Sequence, residues 1–126
     1  MRGEKYLTEP EQYALVYRQG SSWTSRLIVM RALPNGLALS RYGFSVSKRS
    51  VGKAVDRNRV KRWLREILRV MPLKPGWDIV FIVRRAAGID YTNLKTTAES
   101  LLSRAGLLET GRDSSDPVEI KAKSIA

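Results

Sequence analysis

Arg57, Asn58, Arg59, Lys61, Arg62 and Arg65 fall within thirteen residues, "AVDRNRVKRWLRE" (54–66), with Trp63 set among them. Side chains of this kind hold phosphate: each planar guanidinium offers one anion two N–H donors at once, and a lysine adds a point charge. The charge is local. Residues 41–69 contain Arg41, Lys48, Arg49, Lys53, Arg57, Arg59, Lys61, Arg62, Arg65 and Arg69 against Asp56 and Glu66, a net +8 within a whole-chain charge of +11. Such an excess points to a polyanionic partner, nucleic acid first and an anionic membrane surface second. Histidine and cysteine are both absent. That removes disulfides, a thiol nucleophile, the usual zinc sites and histidine acid–base chemistry, while oxygen-ligated Mg²⁺ stays open.

Spacing says how these residues are presented. At about 100° per residue, Val60, Trp63, Leu64, Ile67 and Met71 share one arc of a helix, expected to face the core. Arg57, Lys61, Arg65, Arg69 and Arg62 share another, with Asn58 inside it, and Arg59 lies beyond its edge. The i,i+4 pairs Arg57/Lys61, Lys61/Arg65 and Arg65/Arg69 each cost an isolated helix about 0.2–0.5 kcal/mol. Only Glu66 is placed to relieve them. A solvated basic face would tolerate this arrangement; a phosphate-binding face gives it a reason. Lys48, Arg49 and Lys53 extend the patch into the preceding loop, where the helix N-terminus adds positive potential. Gly43 and Gly52 fit either close backbone approach or ordinary turns.

The 126 residues suit one domain, read as 1–110, with a polar tail at 111–126. "TEPE" (8–11) reads as a helix start, Thr8 capping and Glu11 completing the box, with Gly20 as the stop. Strands are expected at 26–33 and 37–47, the latter placing Phe44 and Val46 on one face and Ser45 and Ser47 on the other. The basic helix runs to about Val70. The apolar run within 77–85 suggests a strand covered on both faces. Asp90 or Thr92 can cap a last helix whose stripe is Leu94, Leu101, Leu102, Ala105 and Leu108. Trp63 and Trp77 are assigned to the core, and Trp23 has no evident place. The class is α+β, helices packed on a small sheet. No apolar run reaches the roughly 18 residues of a membrane span, and "MRGEKYLTEPEQ" has no apolar signal region, so a cytoplasmic protein is expected.

"GFSVSKRSVGKAVDRNRVKRWLREILR" (43–69) resembles the signature region of the bacterial ribonuclease P protein subunit. That family carries a Gly-x-Ser-Val-Ser-Lys strand, a glycine-containing loop and an Arg-Asn-Arg-x-x-Lys-Arg helix. The likeness continues through "EQYALVYRQG" (11–20), "DIVFIVRRAA" (78–87) and "YTNLKTTAESLL" (91–102). It implies a small mixed sheet in the order α-β-β-β-α-β-α, with a left-handed β-α-β crossover like that in the second domain of a small-subunit ribosomal protein. It also implies a role: assisting a catalytic RNA that removes the 5′ leader of precursor tRNA, with the chemistry and its Mg²⁺ in the RNA. By position, Lys53, Arg57, Asn58, Arg59, Lys61, Arg62 and Arg65 would meet the catalytic RNA. Tyr13, Tyr17, Phe44, Val46 and Lys48 would line a cleft between first helix and sheet that receives the single-stranded leader. No catalytic residue, obligate protein partner or membrane contact is implied for this chain.

Two positions depart from the pattern. Arg31 stands where many relatives carry an aromatic leader contact, and tyrosines replace the phenylalanines often found in the first helix. Three other readings compete: a ribosomal or RNA-chaperone protein, an autonomous metal-dependent nuclease, and a DNA-reading helix. The nuclease needs clustered carboxylates, yet Asp56 and Glu66 lie on different helix faces. The DNA reader needs paired positioning and recognition helices, which the pattern lacks.

Overall fold

The computed structural model describes residues 6–84 and 89–109, so the tail expected at 111–126 lies outside the described residues. In chain order the elements are α1 (Pro10–Gln19), β1 (Ser21–Thr24), β2 (Ile28–Pro34), β3 (Arg41–Ser45), α2 (Ala54–Arg69), β4 (Trp77–Val83) and α3 (Tyr91–Arg104). The four strands form one mixed sheet in the order β1-β2-β4-β3. β2 pairs antiparallel with both β1 and β4, whereas β3 pairs parallel with β4. α2 is the connection that a parallel β3–β4 pair requires.

Alternation along β4 divides the core. Ile79, Phe81 and Val83 join Val60, Leu64, Ile67 and Leu68 of α2 and Leu94, Ala98, Leu101 and Leu102 of α3. Val80 turns to the other face, meeting Val16 of α1 and Leu7, with Tyr13, Leu33 and Ile82 at the margin. The expectation of a strand covered on both sides therefore holds.

Several boundaries differ from the sequence reading. The cap of α1 is Glu9, not Thr8, because Gln12 Oε1 accepts the N–H groups of both Thr8 and Glu9 at 2.8 and 3.0 Å. Glu11 is exposed and has no part in the box. The strand expected at 37–47 is confined to Arg41–Ser45, and that at 26–33 is shifted to Ile28–Pro34. Trp23 belongs to β1, a short edge strand, opposite Met30. The buried stripe of α2 includes Leu68, and Trp63 is only half-buried at its margin. Leu68 lies about 80° round from Val60 and Trp63 about 60° the other way. The helix is thus rolled toward Lys61. Asp90 caps α3 as expected, its carboxylate accepting from Asn93 N–H at 2.8 Å.

Among the described residues, Asp78 is the one buried charged side chain, 5% exposed. It stands opposite Arg41 in the parallel register. Arg41 grips it with two bonds, Nε to Oδ1 at 2.9 Å and Nη2 to Oδ2 at 2.8 Å, and Asn35 Nδ2 donates to Oδ1 at 2.9 Å. The bonds to Asp78 push the Arg41 guanidinium pKa further up, so Arg41 keeps its charge at any ordinary pH. A buried carboxylate is tolerated only when it is paired and hydrogen-bonded, as Asp78 is here through three bonds. Asp78→Ala should lower unfolding free energy by about 3 kcal/mol, because it strands the half-buried Arg41. Urea denaturation checks this; a loss below about 0.5 kcal/mol contradicts it.

Candidate functional site

β3 is an edge strand, and among the described residues its outer side is covered only at one end. There Tyr6 bridges Tyr42 in parallel and Leu7 N–H donates to the Tyr42 carbonyl at 3.0 Å. Past that point, among the described residues, no further segment pairs with β3. A cavity of about 340 Å³ lies at the covered end, bounded by Tyr6, Leu7, Tyr13, Phe44, Lys61 and Arg65 with the β3 backbone at Tyr42 and Gly43. It joins residues from both faces of the sheet. Tyr13 approaches from α1 across Gly43, whereas Phe44 points toward the α2 and α3 side, tilted against Tyr42 and Phe81 at 5.8 and 6.3 Å. The cleft expected between first helix and sheet therefore wraps around a strand edge, and its far wall is α2.

Gly43 makes this possible. A Cβ on it would overlap the Tyr13 hydroxyl and lie 2.6 Å from ring carbon Cζ. With no side chain there, the ring sinks onto the strand. The Tyr13 hydroxyl donates to the Leu7 carbonyl at 3.3 Å. Burial pushes its pKa above the ordinary tyrosine value, a bond with the Phe44 backbone pulls it partly back, and Tyr17 nearby raises it again. The hydroxyl thus stays protonated at neutral pH and ties the β3 edge to the N-terminal segment. A phenylalanine could not make this link, which gives one of the two departing tyrosines a use. Burial, and Tyr6 beside it, push the Tyr42 hydroxyl up as well.

The other expected cleft residues lie around this centre. Tyr17 is one turn along α1 and 40% exposed. Val46 packs on the main core, and Lys48 is exposed in the loop before α2. Arg31, the other departure, caps the C-terminal end of α1. Its Nη2 donates to the Tyr17 and Gly20 carbonyls at 2.6 and 2.9 Å, and its Nε to the Val16 carbonyl at 3.4 Å. A cation on the last carbonyls of a helix also meets the negative end of its dipole. Nothing in the sequence pattern marked Arg31 for this, because its partners are backbone atoms some eleven to fifteen residues away.

The polar residues expected to meet RNA on α2 and at its N-cap have four different surroundings. Lys61 and Arg65 line the cavity. Arg57 turns back on the loop, donating Nη1 to the Val51 and Gly52 carbonyls at 3.1 and 2.8 Å. Arg59 pairs with Asp56 at 3.4 Å. Lys53, Asn58 and Arg62 are exposed. Lys53 is the N-cap residue and makes no side-chain cap. Gly52 has open space where a Cβ would stand, so it is an ordinary loop glycine. No group of three or more acidic side chains gathers among the described residues, and no described helix is long and apolar enough to cross a membrane. Aromatic rings beside cations at an open strand edge can stack unpaired bases and neutralise their phosphates.

Comparison with known proteins agrees in sequence and in fold. The family model described as Ribonuclease P matches residues 1–106. A ribonuclease P protein component from Dehalococcoides mccartyi is 46% identical over 114 residues, 90% of this chain and 94% of that protein. One from Roseiflexus castenholzii is 42% identical over 107 residues, 82% of this chain and 87% of that protein. The structure of Staphylococcus aureus RNase P protein superposes with a TM-score of 0.76 at 28% identity, covering 83% of this chain and 98% of that one. For the RNase P protein from Thermotoga maritima the TM-score is 0.69 at 32% identity, covering 79% and 96%.

The Gly43–Tyr13 contact is open to a direct check. Gly43→Ala should destabilise the chain by about 1–3 kcal/mol through overpacking. In a Tyr13→Ala background the same change should cost almost nothing, a coupling of at least about 0.5 kcal/mol in a double-mutant cycle. Additive effects in thermal or urea unfolding would show that Tyr13 does not rest on Gly43.

Proposed function

The chain belongs to the ribonuclease P protein family, whose members are components of an enzyme complex with an RNA partner, and from that premise we propose a division of labour. The catalytic RNA hydrolyses precursor tRNA, and this chain holds the 5′ leader and the RNA together. The observation that carries this reading is the cavity at the β3 edge, where Tyr13 and Phe44 meet Lys61 and Arg65. Rings stack bases of any sequence, and the cations neutralise the phosphates between them. Tyr17 and Lys48 continue the path of the strand on either side. Lys53, Arg57, Asn58, Arg59 and Arg62 turn toward the catalytic RNA, and Arg57 does so while bracing its own loop.

In this mechanism the chain moves no proton. The Tyr13 hydroxyl is held protonated, and Asp56 and Asp78 are committed to Arg59 and Arg41. In this reading Mg²⁺ is bound mainly by the RNA. The chain raises substrate and metal affinity by supplying positive charge that the RNA lacks, which matters most when Mg²⁺ is scarce.

Cleavage of precursor tRNA by a bacterial ribonuclease P RNA at low Mg²⁺ tests this, with and without the chain. Addition of the chain should stimulate cleavage strongly, and the gain should shrink as Mg²⁺ rises; no stimulation refutes the reading. Tyr17→Ala and Arg65→Ala should each weaken binding of substrates with a leader of several nucleotides by about tenfold, and leave leaderless tRNA unaffected. An equal loss on both substrates would remove the leader from the cavity.

A further inference from the structure

The side of α2 turned away from this cavity carries a second aromatic and charged constellation. Trp63 lies about 160° round the helix from Lys61. The apolar stripe is filled by Val60, Leu64, Ile67 and Leu68, and the indole packs at its margin with part of the ring exposed. The Tyr91 ring, 37% exposed at the first position of α3, meets the indole edge-on, with centroids 6.3 Å apart and planes at 89°. The Arg59 guanidinium stands 6.0 Å from the indole centroid. Arg59 also pairs with Asp56 at 3.4 Å, both side chains remaining well exposed at 48% and 41%. A cavity of about 280 Å³ opens beside them, its walls including Ser50, Asp56, Arg59 and Trp63.

This chemistry differs from that of a phosphate site. An indole face with a cation beside it suits a flat π-system, which can lie on the ring or between ring and guanidinium. Asp56 would repel a bare phosphate but accepts hydrogen bonds from ring or exocyclic N–H groups, and the Ser50 hydroxyl can donate or accept. Exposed Lys53 and Arg62 nearby supply the positive surroundings that a nucleic-acid backbone needs. We propose that the Asp56, Arg59, Trp63 and Tyr91 patch seats one unpaired nucleobase of the RNA subunit, on the opposite side of α2 from the leader cavity. The proposal rests on the preceding reading that α2 meets the catalytic RNA, and it gives that contact a stacking component.

Stacking releases no counterions, so it separates from phosphate contacts in a salt titration. Binding of the full chain to a bacterial ribonuclease P RNA is measured across a range of salt concentrations. Trp63→Leu should weaken binding by about tenfold at every salt concentration, with the slope of log K against log salt unchanged. Trp63→Phe should recover most of the loss. Tyr91→Ala, at an exposed helix start, should weaken binding a few-fold with the same unchanged slope. Circular dichroism shows whether each variant is folded, and Tyr91→Ala carries the test if Trp63→Leu is not. Full affinity in folded Trp63→Leu or Tyr91→Ala overturns the proposal, as does a loss that appears as a reduced slope. An unaltered chain that does not bind the RNA overturns instead the reading beneath it.

Discussion

Two parallel neighbouring strands cannot be joined by a tight turn, and that constraint organises this molecule. β3 and β4 lie side by side in parallel, so the chain between them must cross over, and α2 makes the crossing. The consequences follow in order. α2 is pinned to the sheet by Val60, Leu64, Ile67 and Leu68. β3 is left at an edge, and among the described residues Tyr6 and Leu7 alone lie beside it. The basic side of the helix then stands along that open edge. Arg41 and Asp78 lock the two strands in register at one end, which fixes where Lys61 and Arg65 fall relative to Tyr13 and Phe44.

α2 is arranged for something other than its own stability. Three like-charged i,i+4 pairs run along it, at about 0.2–0.5 kcal/mol each. The described ion pairs relieve only Arg59, through Asp56. The two long margins of the helix also differ in kind. One offers cations beside phenolic and phenyl rings at a strand edge, and the other an indole and a phenol with a carboxylate paired to a guanidinium. A uniform solvated face would show neither feature. Two sides built differently fit one helix wedged between two stretches of RNA.

The sequence made some of this legible and hid the rest for physical reasons. Periodicity places α2 and most of its buried stripe, because five apolar side chains at helical spacing have few alternatives. It missed Leu68, since Leu68 projects between Arg57 and Lys61 and only the roll of the helix on the sheet brings it inside. Trp63 shares the arc of Val60, Leu64 and Ile67 and packs against the core, and its position at the stripe's margin leaves part of the ring outside. Local patterning does not show β1, which only the order implied by the resemblance provides for, because Ser21, Ser22 and Thr24 are exposed on a short edge strand and carry no apolar alternation. Trp23 was unplaced for the same reason. Gly43 was recognised as a point of close approach or a turn, and only the position of the Tyr13 ring decides between them. Arg31 acts through carbonyls of another element, which no local pattern encodes. The family resemblance of residues 43–69 reached the partner class that composition alone left open between RNA, DNA and membrane.

The central claim is that the repulsion built into α2 is relieved by RNA lying across it. The most direct measurement is the thermal midpoint of the chain, free and with equimolar bacterial ribonuclease P RNA, over a series of salt concentrations. A ligand that binds only the folded state must raise the midpoint. The account predicts a clear rise at low salt that shrinks steadily as salt increases, while the free chain gains stability from the same salt through screening. An RNA-independent midpoint, or an increment indifferent to salt, would contradict it.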